Sequence, residues 1–263
     1  SSKKRFTGTG PEEFIEQSRG LFLPKEPIKR KVTRKEMNNA IFVDFEGSGK
    51  KPNEEPDFSN PDIRKFVGVL WMTNRLKLRQ FILDPSLNLC AKSFNGAQYG
   101  LCDEHKMKWF STRKKAEEEV VELLLKLKGP IISWSEHDWN VMENMMGSDH
   151  FSDDDRENIK NRWRNALKTV RPWNTVTLQK RVEDNKLQNY LELIGYDTNS
   201  EKEGMSDKLN YLAEVTKGKR NPDELTSKQL DKWRHVYEHN FHDLEGMRQV
   251  LHQAVLKNSL FTV

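Results

Sequence analysis

At 263 residues the chain is long enough for one large or two small domains with a substantial core. Charged residues make up 32% and apolar residues 35%, but the net charge is only +4, too small by itself to indicate a nucleic-acid partner. Two cysteines, Cys90 and Cys102, exclude a disulfide scaffold, and the lack of an apolar leader or a run of about 20 apolar residues leads us to expect a soluble intracellular protein, cytoplasmic or nuclear.

Residues 1–39 are polar and Lys-rich, broken by Pro11, Pro24 and Pro27, and are expected to form an N-terminal extension with a short helix over 11–17. The domain proper is expected over 40–263. It begins with Ala40-Ile41-Phe42-Val43-Asp44-Phe45-Glu46, a β-branched and aromatic run that reads as a buried strand ending in carboxylates. Strands follow at Phe66–Met72 and Leu76–Leu83, with Thr73-Asn74-Arg75 as the turn between them. The stretch 84–110 carries little periodic signal.

Thr112 caps a predicted helix reaching about Lys128, with Val120, Val121, Leu124 and Leu127 as its apolar stripe and Gly129-Pro130 as its stop. Pro130–Trp134 is a short strand, followed by a helix over Glu136–Met145. Ser152 and three aspartates begin a predicted helix to about Thr169. Further helices are expected at Leu187–Ile194 and Met205–Val215, and from Ser227 to about Leu256 as one helix or two. Early strands and late helices predict an α/β fold, a mixed β-sheet flanked by helices with a largely helical C-terminal half.

Three short segments carry candidate chemistry. Asp44 and Glu46 lie two apart on a strand, so they share a face. Paired carboxylates repel unless a cation neutralises them, and Mg²⁺ or Mn²⁺ prefers oxygen ligands; the alternative is a solvent-facing strand edge. In Ser135-Glu136-His137-Asp138-Trp139, Asp138 sits on the first turn of a helix leaving a strand and can point back to the strand ends, or it can simply cap the helix. In Tyr237-Glu238-His239-Asn240-Phe241-His242-Asp243, His239 and Asp243 are four apart and share a helix face. An imidazole beside a carboxylate can accept a proton from water; the alternative is an ordinary exposed His–Asp pair.

An Asp-x-Glu strand, an Asp after a later strand and a His-x-x-x-Asp on the last helix, in that order, resemble the DEDD superfamily of 3′–5′ exonucleases. The likeness spans about 41–256, with Ile-Phe-Val-Asp-Phe-Glu-Gly its most specific part. It implies a ribonuclease H-like fold, two divalent metal ions (Mg²⁺ or Mn²⁺) and a nucleic-acid substrate, DNA or RNA. It further implies that Asp44 bridges the metals, Glu46 and Asp243 complete one site, and Asp138 helps hold the second. His239 lies where one branch of the family has Tyr; the branch that uses His has it one residue earlier, where this chain has Glu238. The general base is therefore open between His239 and a role shared with Tyr237 or His242.

Other features are weaker. Gly47-Ser48-Gly49-Lys50 fails the P-loop pattern, which puts Asp44 and Lys51 at two required positions. A zinc site at Cys90, Cys102 and His105 lacks a fourth ligand. Arg156, Lys160, Arg162, Arg164 and Lys168 fall on one predicted helix and read either as a strand-binding surface or as a solvated face. Trp134, Trp139, Trp163 and Trp173 are expected mainly in the core, with at most one stacking on a base. Three functions fit these residues: a 3′–5′ exonuclease, an endonuclease of the same fold, and a non-hydrolytic binding module.

Overall fold

Ile41–Glu46 forms strand β1, and its alternation decides what lies on each side of the sheet. Ile41, Val43 and Phe45 join the apolar core of one face, while Phe42 joins that of the other and shares its side with Asp44 and Glu46. The computed structural model describes residues 31–47, 56–147, 151–177, 185–196 and 204–258. The predicted helix over 11–17 and Ser48-Gly49-Lys50 lie outside them.

β2 (Phe66–Met72) and β3 (Leu76–Ile82) follow as predicted, each antiparallel to its predecessor. β4 (Glu104–Lys108) pairs parallel with β3 at one edge. On the other side of β1 lie β5 (Ile131–Ser133) and then β6 (Trp163–Asn165), both parallel to it. The order is β4-β3-β2-β1-β5-β6, and β2 alone runs against the other five. The chain thus leaves β1 toward one edge and returns to pair on its other side. In open α/β sheets such a switch point, at the strands' carboxyl ends, is where a crevice forms.

Helices cover both faces. Arg113–Lys126 (α3), Glu136–Met146 (α4) and Asp153–Arg162 (α5) pack Val120, Val121, Leu124, Trp139, Val141, Met142 and Ile159 against the face of Val43. The short α1 (Asn88–Lys92) and α2 (Gly96–Tyr99) lie between β3 and β4. The other face carries Ala166–Thr177 (α6), Leu187–Leu193 (α7), Met205–Val215 (α8) and the 32-residue α9, Ser227–Asn258. α9 is one helix, and it lays Leu244, Met247, Val250 and Leu251 over Phe42, Leu70 and Ile132. Among the described residues no helix is long and apolar enough to cross a membrane.

Two expectations are corrected. The helix predicted from Ser152 to Thr169 is cut at Arg162, because the next three residues add a sixth strand. Arg162 closes the break, donating to the carbonyls of Leu124, Leu127 and Gly129. Trp163 is buried with its indole N–H on Ser133 Oγ at 2.9 Å. The five basic residues therefore do not form one surface: Arg156 donates to the Met146 carbonyl, Arg164 to Glu36, and Lys168 to Glu136. The second is β4, which the featureless stretch before Phe110 concealed. It is a short polar edge strand of the kind that discourages edge pairing, with His105 and Met107 buried and alternating with Glu104, Lys106 and Lys108.

Trp134, Trp139 and Trp163 are all core residues, as expected; the side chain of Trp173 lies outside the described residues. Cys90 and Cys102 are free thiols, and burial pushes Cys90 up to about 12. Both ring nitrogens of His105 are engaged, by Gln80 and by the Leu101 N–H, which leaves none for the zinc site considered above.

One buried ion pair ties the segment before β2 to α3. Arg64 Nε lies 2.8 Å from Glu117 Oε1 on α3, with both side chains under 10% exposed, and its Nη1 donates to Asn144 Oδ1 and the Phe58 carbonyl. Removing one partner strands the other charge in the core. Glu117→Ala is expected to lower stability by about 3 kcal/mol, read from urea unfolding. A change below about 1 kcal/mol would mean that the two remaining acceptors suffice for Arg64.

Candidate active site

The side chains singled out from the sequence meet at the carboxyl end of β1. Glu46 is the strand's last residue, and Asp44 lies one pleat before it on the face that α9 covers. Gly47 follows because the chain here passes tightly under Ile63: a Cβ at Gly47 would fall 2.1 Å from the Ile63 carbonyl oxygen. That close approach keeps Glu46 at the edge of the sheet rather than in a looser turn.

α9 contributes His239, Asn240 and Asp243. His239 Nε2 is 3.4 Å from Asp243 Oδ2, the contact expected of residues four apart, and 4.0 Å from Glu46 Oε1. The exposures form a gradient, with Glu46 at 12%, Asp243 at 24% and His239 at 41%. The carboxylates line the floor and the imidazole stands at the rim. Glu46, His239 and Asp243 each offer a ligand atom within 4.8 Å of the others, close enough to converge on one cation.

Asp138 arrives from the opposite layer. It is the third residue of α4, which starts directly after β5, and it is 6% exposed. Its Oδ2 accepts from Ser135 N at 3.2 Å while Ser135 Oγ caps the helix, a complete capping box. The capping reading is thus correct for Asp138, yet its charge is still felt at Asp44 and Glu46. One carboxylate serves both roles because the helix starts at the strand ends.

All four carboxyls are held above their ordinary range. Asp44 stands well above it, through burial first and then the charges of Glu46, Asp243 and Asp138; the hydrogen bond from Asn240 opposes this. Glu46 is likewise well above, through burial and Asp243. Burial raises Asp243 and Asp138 too, against the influence of His239 and His242 on the former and of His137 on the latter. Among the described residues the ion-pair partner of this group is His239 rather than a lysine or arginine. Among the described residues only histidines oppose the charge of the cluster, a condition that favours binding of a divalent cation.

The other candidates for the base are placed elsewhere. His242 Nδ1 is 3.0 Å from Tyr196 Oη, and Tyr237 is buried against Trp233, Phe94 and His105. Glu245, two residues past Asp243, pairs with Arg248. Asn240, by contrast, was not anticipated. It is fully buried and donates from Nδ2 to Asp44 Oδ2 at 2.8 Å and to the Asp44 carbonyl at 3.2 Å. The sequence signal that could have found it is Gly68, in the middle of an otherwise bulky strand, since such a glycine marks a close approach. Compared with known proteins, the chain matches no family model and no curated sequence.

Proposed function

We propose that this protein is a metal-dependent nuclease with a ribonuclease H-like domain, acting as a 3′–5′ exonuclease on single-stranded or frayed DNA or RNA. The observation that carries this reading is the convergence of Asp44, Glu46, Asp138 and Asp243, from three separate elements, at the switch point of the sheet, with histidines rather than a lysine or arginine beside them among the described residues. The strand order supports it too: β1, β2 and β3 run in antiparallel succession, β4 adds parallel to β3, and β5 and β6 lie parallel to β1 on its other side.

Asp44, Glu46, Asp243 and Asp138 are the residues that would hold two Mg²⁺ or Mn²⁺ ions, which when bound supply a polarised phosphate and an activated water. Four carboxylates match the charge of two divalent ions. Without cations the same cleft repels a phosphodiester, so the cluster makes the reaction conditional on metal. His239, the most exposed member, is placed to take the proton from the attacking water while Asp243 orients its ring. Glu46, near the same nitrogen, favours the imidazolium that results.

The test is to incubate the protein with 3′-labelled and 5′-labelled single-stranded oligonucleotides, DNA and RNA in parallel, in Mn²⁺, Mg²⁺ or EDTA. Stepwise shortening from the 3′ end that needs metal is expected. Internal fragments would identify an endonuclease built on the same site. A folded protein that binds the strands and cuts none of them would make this a binding module and the carboxylate cluster a relic.

A further inference from the structure

Behind the carboxylates, three buried polar side chains and the partly buried Asp44, from four elements, form one continuous chain. Asp44, Gly68 and Gln80 sit opposite one another across β1, β2 and β3, so all three face α9. Gly68 has no side chain to fill that row. A Cβ there would lie 2.0 Å from Asn240 Oδ1, so the Asn240 amide occupies the space above the glycine and spans from Gln80 to Asp44. Gln80 Nε2 donates to Asn240 Oδ1 at 3.0 Å and to the Tyr237 carbonyl at 2.8 Å. Gln80 Oε1 in turn meets His105 Nε2 at 2.8 Å.

The chain has a direction. The Leu101 N–H donates to His105 Nδ1, so the neutral ring carries its proton on Nε2 and can only donate to Gln80. Burial, aided by Arg79, brings His105 down to about 4, so the ring stays neutral through the physiological range. With Oε1 taken by the imidazole, the Gln80 amide must present its NH₂ to Asn240. With Oδ1 taken by Gln80, Asn240 must present its NH₂ to Asp44. Both amides are fully buried, and neither has an alternative orientation that satisfies its neighbours.

We propose that His105, Gln80 and Asn240 form an orienting relay that holds one oxygen of Asp44 and leaves the other directed to the cation site, which makes Gln80 a positioning residue although it touches no ligand. The proposal rests on the metal-binding reading of Asp44. It accounts for three features together: a glycine inside β2, a glutamine on the covered face of β3, and a buried histidine on an edge strand. Partners that orient metal ligands in this way typically change metal affinity or activity by roughly 10–100-fold when altered.

The relay is tested by reversing its polarity. Gln80→Glu keeps the shape and still accepts from His105, but has no N–H for Asn240. That amide must turn, which sets its oxygen against Asp44. Gln80→Met removes both interactions and leaves Asn240 free to keep donating. Mn²⁺ affinity of the full chain, measured by calorimetry and by the free-Mn²⁺ paramagnetic resonance signal at mildly alkaline pH, is expected to fall at least about tenfold in Gln80→Glu and much less in Gln80→Met. Melting temperatures are expected to fall in both variants, through stranded polar groups in Gln80→Met and through a buried carboxylate in Gln80→Glu.

A merely structural glutamine would give affinity losses that follow the melting temperatures, with Gln80→Met losing Mn²⁺ affinity in proportion to its lost stability. Wild-type affinity in a folded Gln80→Glu protein overturns the relay and leaves the metal site standing. A wild-type protein that binds no Mn²⁺ overturns the nuclease reading, and the relay's task with it. Should Gln80→Glu not fold, ¹⁵N spectra of wild-type His105 decide: the Nε2–H tautomer supports the relay, and the Nδ1–H tautomer rejects it.

Discussion

Replacing Asp44 by Asn is expected to abolish turnover while making the metal-free protein more stable. The two effects have one cause. Asp44 is buried among Glu46, Asp243 and Asp138, and every one of those charges raises the cost of its ionisation. Asparagine is nearly isosteric, its carbonyl oxygen can still accept from Asn240 Nδ2, and it removes the charge at the centre of the cluster. Folding therefore loses a repulsion and keeps its hydrogen bond. On the proposed nuclease reading, catalysis would lose a carboxylate that holds metal, and metal charge stabilisation in such a transition state is worth several kcal/mol. That corresponds to a fall of at least about a thousandfold in kcat. Turnover on a labelled oligonucleotide in Mn²⁺ and the melting temperature in EDTA read the two predictions separately. A variant within tenfold of wild-type activity would remove Asp44 from the metal site. A variant less stable than wild type would mean that the carboxylates are compensated in a way the described residues do not reveal.

The same residue shows how much of the site was legible in the sequence. Period-two spacing alone puts Asp44 and Glu46 on one face, and the β-branched run around them marks a buried strand, so this part of the site needs no tertiary information. His239 and Asp243 are equally local, since four residues on a helix make a contact. Asp138 is different. Its capping box explains it completely at the level of one helix, and only the position of α4 beside the end of β1 reveals its second role. Asn240 was missed because its partners, Gln80 and Asp44, are 160 and 196 residues away. Nothing local distinguishes it from any other polar residue on α9.

A strand of an otherwise anticipated α/β fold was missed in the same way. Trp163-Arg164-Asn165 has three residues of strand between two helical patterns, and no window of periodicity detects so short a segment. It is a strand because β5 offers an open parallel edge and because Arg162 finds three carbonyls at which to end a helix. The basic residues that looked like one helical surface are divided by that break, and most of them hold the framework together. Any binding surface for a nucleic-acid strand must therefore be sought around the open rim at His239 rather than along α5.

Divalent metal should stabilise the protein strongly at pH 8 and only weakly near pH 5. A carboxyl whose folded value is raised keeps its proton in the native state at a pH where the unfolded chain has lost it. Between the ordinary carboxylate range and the raised value the native state binds more protons, so stability falls as pH rises through that window. Asp44, Glu46, Asp138 and Asp243 all act in this sense. Above the window the cluster is fully ionised and its repulsion is complete, which is also where cations face no competition from protons. At a free Mn²⁺ concentration about 100 times Kd, the gain is about 2.7 kcal/mol per site, or roughly 5–10 °C in Tm for a domain of this size. Glu36 and Asp84, held below the ordinary range by Arg164 and Thr33 and by Ser86 and Lys65, impose the opposite slope in acid. They do so equally with and without metal, so the difference between melting curves in Mn²⁺ and in EDTA isolates the cluster. That difference should shrink steadily as pH is lowered and should collapse in Asp44→Asn at every pH. A difference independent of pH would mean that the cation binds somewhere other than these four carboxylates.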